Sequence, residues 1–348
     1  MWRAGRAGAY RPRVDTTTPR PAGRAPLLRA LVFLLGGTSV ASLLAWVFGL
    51  GAFHAWFWAV SVPGQVALLA IGVWVARRED LAELRALLVA GLVGGILGTI
   101  GYDLFRVPFV LAGLRVLAPI DSYGVLALDA AASSTLTGFT GWSYHFANGI
   151  GFGLSYAVIA GRGRHWGWGI GWAMVLETAT IVTPFATTYA LRGGGGIKWV
   201  PITIAYAAHV PYGYALGKAV QRADRVADGV RTVGRWTVPA TLLVLFGGLA
   251  VWLAPWSSAR PDELGTVTGP AAVVLDGEFE PEWLRVEVGG CVTLVNLDDA
   301  TYQLNHGLPA TLPADATTEV CFDEPGVHRV RTSDEPYAGG FVIVDEQP

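Results

Sequence analysis

Cysteine, methionine and charge are all scarce in this chain. Of 348 residues, two are Cys and two are Met, and Asp, Glu, Lys and Arg together make up 15%. An ordinary soluble domain carries about 25% charged residues. So little charge, with 52% hydrophobic residues and 14 Trp, points to membrane-spanning helices. No P-loop, GxGxxG, GxSxG or CxxCH occurs, so nucleotide, α/β-hydrolase and c-type haem motifs are absent. No internal repeat marks an inverted-repeat transporter, and catalytic residues are not assigned. Nucleic acid is not an expected partner, because the basic residues fall in loops that membrane topology explains.

The net charge of −2 hides an uneven split. Residues 1–256 carry 21 Lys+Arg against 10 Asp+Glu, whereas residues 257–348 carry 4 against 17. Such a division implies two modules in different surroundings. Residues 1–28, rich in Arg, Pro and Gly, read as a disordered basic arm. Residues 29–256 read as a polytopic helical domain, with seven apolar stretches at about 30–50, 55–76, 83–103, 143–160, 167–190, 200–217 and 237–255. Segment 104–142 reads as a long external connection holding a short re-entrant or interfacial helix. Arg and Lys concentrate in the arm and in alternate loops, which places these on the cytoplasmic side of a plasma membrane. An odd number of spans then puts residues 257–348 outside. Both cysteines, Cys291 and Cys321, belong to this last module, on the side where disulfides persist.

Ionisable groups inside spans are costly and default to functional candidates. Asp103 and Arg106 stand three residues apart on one helical face, as do His145 and Asn148, and Tyr206 and His209. Glu177 falls near the middle of the fifth stretch. Two imidazoles with one or two carboxylates suit a metal, a proton relay or a haem, so His145, Glu177 and His209, with Asp103, form a candidate metal or haem set. The competing reading is an Asp103–Arg106 ion pair that anchors its helix end, with the other groups making ordinary helix-to-helix hydrogen bonds. Glycine pairs four apart, such as Gly91 and Gly95, Gly94 and Gly98, Gly149 and Gly153, and Gly167 and Gly171, predict close helix packing.

Beyond about residue 261 the pattern changes to short alternating strands between Gly, Pro, Asp and Asn. Phe279, Pro281, Leu284, Val286, Gly290, Val292 and Asn296, followed by Phe322, Pro325, Gly326 and the closing run GGFVIV, resemble the cupredoxins, the plastocyanin-like and azurin-like copper proteins. The resemblance covers about 70 residues. It implies an all-β Greek-key sandwich with a His, Cys, His and Met copper site. Carried onto this chain, those ligand positions fall on Tyr302, Thr332, Glu335 and Ala338. None is a blue-copper ligand, so copper is not expected there; His306 and His328 remain, read as solvated surface with a non-classical metal site as the alternative. Strand alternation turns Val292, Leu294, Val320 and Phe322 inward and both cysteines outward, which suits a disulfide. Two functions follow as expectations. One is a membrane protein whose outer domain is a structural or interaction module, with the lipid bilayer and an extracytoplasmic protein as partners. The other is a membrane redox or metal-handling protein using the intramembrane histidines.

Overall fold

The structure, a computed structural model, describes residues 25–193, 196–232, 261–304, 311–332 and 338–346. Most of the basic arm, the expected span at 237–255, His306 and Glu335 lie outside the described residues.

Among the described residues, three helical stretches are long and apolar enough to cross a membrane: Ala25–Val47, Phe53–Ala76 and Glu79–Leu111. The first comprises α1 (Ala25–Gly37) and α2 (Ala41–Val47) joined by a 3-10 turn. The second comprises α3 (Phe53–Trp56) and α4 (Val62–Ala76) joined by a π turn, and the third is α5 (Ala82–Leu111) after a 3-10 turn. The π turn immediately precedes Pro63, whose missing amide hydrogen removes a bond the regular helix would make. Next come α6 (Ala118–Ala127), α7 (Thr135–Ala160), α8 (Gly167–Val182), α9 (Phe185–Thr188), a hairpin of β1 (Arg192–Gly193) and β2 (Gly196–Ile197), α10 (Trp199–Gln221) and α11 (Ala223–Thr232).

The long connection expected at 104–142 is much shorter. Helix α5 continues to Leu111, because Asp103 and Arg106 neutralise each other along one face and no longer act as a polar end. Helix α7 starts at Thr135 rather than near 143. Ser134 caps it: its hydroxyl accepts from the Thr137 amide at 3.3 Å, and the Thr137 hydroxyl accepts from the Ser134 amide at 2.7 Å. The apolar piece between them is α6, ten residues and almost wholly buried, too short to span. Helix α8 stops at Val182, ahead of Pro184, instead of running to 190.

Glycines set the closeness of the packing. A Cβ on Gly95 would sit 2.8 Å from the Gly149 carbonyl oxygen of α7, and one on Gly98 would sit 2.9 Å from the Tyr212 oxygen of α10. Helix α5 is therefore gripped on two sides. The pair Gly167 and Gly171 does not behave as expected. Gly171 faces open space, and the α8–α10 contact is made by Gly169 against Gly213 and Gly217.

The C-terminal strands are β3 (Ala271–Leu275), β4 (Glu278–Glu287), β5 (Cys291–Asn296), β6 (Tyr302–Gln303), β7 (Thr311–Leu312), β8 (Thr317–Cys321), β9 (Gly326–Val330) and β10 (Gly339–Asp345). Six form one mixed sheet, ordered β8-β5-β3-β4-β10-β9, and β6 pairs with β7. The β3–β5 and β4–β10 pairings are parallel. Val274, Phe279, Leu284, Val292, Leu294, Val320, Phe322, Val342 and Val344 form the domain's own core. Cys291 and Cys321 are register partners on β5 and β8 and are joined by a disulfide. Asn296 is fully buried. Its amide donates to the Ala300 and Pro313 carbonyls at 2.8 Å each, and its oxygen accepts from the Asp298 amide at 3.1 Å.

The opposite face of β4, β10 and β9 lies on the helices. Trp283, Val327 and Ile343 share a core with Phe53, Tyr123, Tyr144 and Tyr189. Trp283 has no exposed surface and stacks on Phe341, with ring centroids 4.5 Å apart. Backbone bonds join the two parts as well. The Ser133 amide donates to the Trp283 carbonyl at 2.8 Å and the Arg285 amide to the Ala131 carbonyl at 2.9 Å. Around the rim, Arg115 pairs with Glu282, Arg285 with Asp129 and Asp345, and the Trp46 indole donates to Asp345 at 3.2 Å.

Candidate functional site

Within the helical part, most of the polar residues picked from sequence fall into two groups. In the first, Asp103 is fully buried. One Arg106 nitrogen donates to its Oδ1 at 2.6 Å, and His145 Nε2 lies 3.1 Å from the same oxygen and 3.2 Å from Oδ2. A second Arg106 nitrogen donates to the Val116 carbonyl at 2.9 Å, fastening the loop after α5. In the second group, Glu177 Oε2 lies 3.5 Å from His209 Nδ1, which is also 2.8 Å from the Ala205 carbonyl oxygen of its own helix. The short bond to Ala205 assigns the Nδ1 proton to that carbonyl and makes Glu177 a weaker neighbour.

Tyr102 links the groups. Its ring centroid is 4.7 Å from that of His209 and 6.0 Å from that of His145, and the Arg106 guanidinium lies over its face at 4.1 Å. The sequence reading missed Tyr102, although its place beside Asp103 could have drawn attention. Tyr206 is apart from both groups, bonded to Thr178 at 2.9 Å. Asn148 has a buried Oδ1 with no hydrogen-bond partner among the described residues. No set of three His, Cys, Asp or Glu side chains among the described residues has the geometry to hold a metal ion. His145, Glu177 and His209 thus divide into two carboxylate–imidazole pairs rather than forming one ligand shell.

At the far end of the β-domain, Tyr302 and Thr332 do come together, around Gly277. A Cβ at Gly277 would lie 3.2 Å from the Thr332 hydroxyl and 3.6 Å from the Tyr302 hydroxyl, and Gly277 itself has φ +76°. Both hydroxyls are already in use. Tyr302 donates to Asp298 Oδ2 at 2.7 Å and Thr332 to the Gly277 carbonyl at 2.5 Å. Asp298 also accepts from the Asp276 and Gly277 amides at 2.8 and 2.9 Å. Ala338, the third described position, offers no donor atom and is buried. His328, elsewhere in the domain, spends Nε2 on the Glu324 carbonyl at 2.7 Å. The described side chains here, Tyr302, Thr332 and Ala338, offer no thiolate, imidazole or thioether and do not fit a blue-copper centre.

The clasp has an electrostatic signature. Partial burial works against the charged form of Asp298, but the Tyr302 hydroxyl and the two amides outweigh it and hold the carboxyl below its usual range. Burial and the Asp298 carboxylate push the Tyr302 phenol up to about 12. A lowered carboxyl stabilises the fold fully above its unfolded value of about 3.9 and loses that contribution as pH falls through the folded value. Asp298→Asn is therefore expected to flatten the acid limb of the β-domain's stability below about pH 4. Near-ultraviolet melts of the intact protein at stepped pH check this, and an unchanged acid limb contradicts it.

No family model matches this chain, and no curated protein does. Solved cupredoxin structures do. An amicyanin mutant in the reduced state is 19% identical, with 22% of this chain and 81% of that one covered and a TM-score of 0.20. A purple cupredoxin from Nitrosopumilus maritimus is 24% identical, with 22% of this chain and 99% of that one covered and a TM-score of 0.19. The class that the fold defines is a helical protein with apolar candidate spans and a C-terminal domain built on a mixed β-sheet.

Proposed function

We propose that this is a multi-pass plasma-membrane protein in which the cupredoxin-like domain is a copper-free structural cap seated on the outer end of the helical bundle. The observation that carries the reading is the double-sided use of the sheet. One face encloses the domain core, and the other buries Trp283, Val327 and Ile343 against the helices. A shuttling electron carrier needs an open face and soft ligands; this domain has a seated face and hard oxygen donors. Helices α7 and α10 support the multi-pass reading, since glycine contacts hold both along the candidate span α5. The basic loops support a cytoplasmic N-terminus and an outer β-domain.

Purified protein titrated with Cu(II) is expected to show no intense thiolate-to-copper absorption and no stoichiometric copper by elemental analysis. A strong blue or purple band defeats the cap reading.

A second reading places a metal or haem among His145, Glu177, His209 and Asp103, in a redox or metal-handling role. Its support is Tyr102, which brings both imidazole pairs into one neighbourhood. Metal analysis and an optical spectrum of the purified protein test it. Bound metal or haem that disappears in His145→Ala and His209→Ala favours it over the cap alone.

A further inference from the structure

At the opposite end of the bundle from the β-domain lies a cavity of about 680 Å³, bounded by the α7–α8 loop, the last turn of α10 and the first turn of α11. Four cations line it, Arg162, Lys218, Arg222 and Arg225, against one carboxylate, Asp224. Arg162 is engaged, bonded to Asp224 at 3.1 Å and 3.6 Å from Glu83. Lys218, Arg222 and Arg225 have no carboxylate within ion-pair distance among the described residues. The Lys218 ammonium is held by rings instead, 5.4 Å from the Trp166 centroid and 5.5 Å from that of Tyr214. A half-buried ammonium between two aromatic faces, with two further uncommitted guanidiniums, calls for an anion.

The surroundings say which kind of anion. The cavity opens at the ends of α8 and α10, beside exposed Trp168 and Tyr214, the residue types that mark a membrane–water boundary. From its mouth an apolar track runs along α10: Tyr214, beside the Trp166 ring and the Lys218 ammonium, and Val210 one turn earlier are both exposed. A soluble anion would use the cations but not the track; a lipid uses both. We infer that this cavity binds the phosphate headgroup of an anionic phospholipid, whose acyl chain lies along the exposed track. The site is remote from the β-domain and does not depend on its role as a cap.

The test is a thermal-melt titration of the full-length protein in neutral detergent. The probes are phosphatidylglycerol, phosphatidylcholine and inorganic phosphate. Phosphatidylglycerol is expected to raise the melting temperature saturably, and the other two are not. Arg222→Gln with Arg225→Gln should leave the lipid-free melt unchanged, since both side chains are exposed. The pair should shift half-saturation upward about tenfold or more, since each lost cation weakens the hold on an anionic headgroup. Equal stabilisation by phosphatidylcholine, stabilisation by phosphate alone, or an undiminished response of the double variant each overturns the proposal.

Discussion

Asp103→Leu alone is expected to cost about 3–5 kcal/mol, enough to remove most folded protein from a detergent extract. Asp103 has no exposed surface, and it is the only carboxylate that any described contact gives to Arg106. Deleting it strands a guanidinium in a low-dielectric interior. It also frees His145, whose Nε2 loses both oxygens. Arg106→Met should do comparable harm by leaving Asp103 with an imidazole alone. The pair removed together, Asp103→Leu with Arg106→Met, should recover much of the loss, because an apolar pair needs no solvation. Size-exclusion profiles and thermal melts of the four proteins form a double-mutant cycle. Additive losses would show that the two side chains act separately, contrary to the 2.6 Å contact.

Trp283→Ala is the second large effect, about 3–5 kcal/mol, taken from the seat of the β-domain rather than from its core. The indole fills the space between Phe341 and the tyrosine group of the helices. Its loss should loosen the seating while the inward-facing residues keep the domain folded. Limited proteolysis reads the difference. The variant is expected to release a C-terminal fragment far faster than the native protein, with the Cys291–Cys321 disulfide intact. Trp283→Phe, which preserves the stack, should fall between. If Trp283→Ala resists protease like the native chain, the domain is not held by this face.

Parts of this architecture were legible in the sequence for clear physical reasons. Hydrophobic length exposed the early candidate spans, and strand alternation placed Val292, Leu294, Val320 and Phe322 inside, where they are almost fully buried. The same alternation turned both cysteines outward, where the disulfide joins them. The three-residue spacing of Asp103 and Arg106 marked an ion pair, which forms, but the pair was placed at the end of a span because a linear reading gives each its full solvation cost. Once paired, they let α5 run on to Leu111. Helix α7 began early because Ser134 caps it and its first turns pack closely on α6, Gly124 lying against Thr137 and Gly141. Tyr102, Tyr123 and Tyr144 escaped notice, since nothing in the order of residues says which rings will meet. Trp283 escaped for a related reason: its alternation marks it as facing away from the domain core, and only the fold shows what covers it.

The short segment before α7 has a consequence for how the protein is made. Ala132 bridges Leu284 in antiparallel fashion, and the Ser133 hydroxyl accepts from the Trp283 amide at 3.1 Å. Strand β3 reaches only as far as Glu280 along β4, so residues 131–133 take up that edge where β3 ends. The final domain therefore borrows part of its hydrogen bonding from chain translated about 150 residues earlier. On the ribosome the helices, with this waiting edge, are complete before the last strands emerge. Cut free and expressed alone, those strands would present an unpaired edge beside an uncovered Trp283 and Phe341, a surface suited to self-association. The composition boundary near residue 257 divides the chain by charge, but the folding unit crosses it.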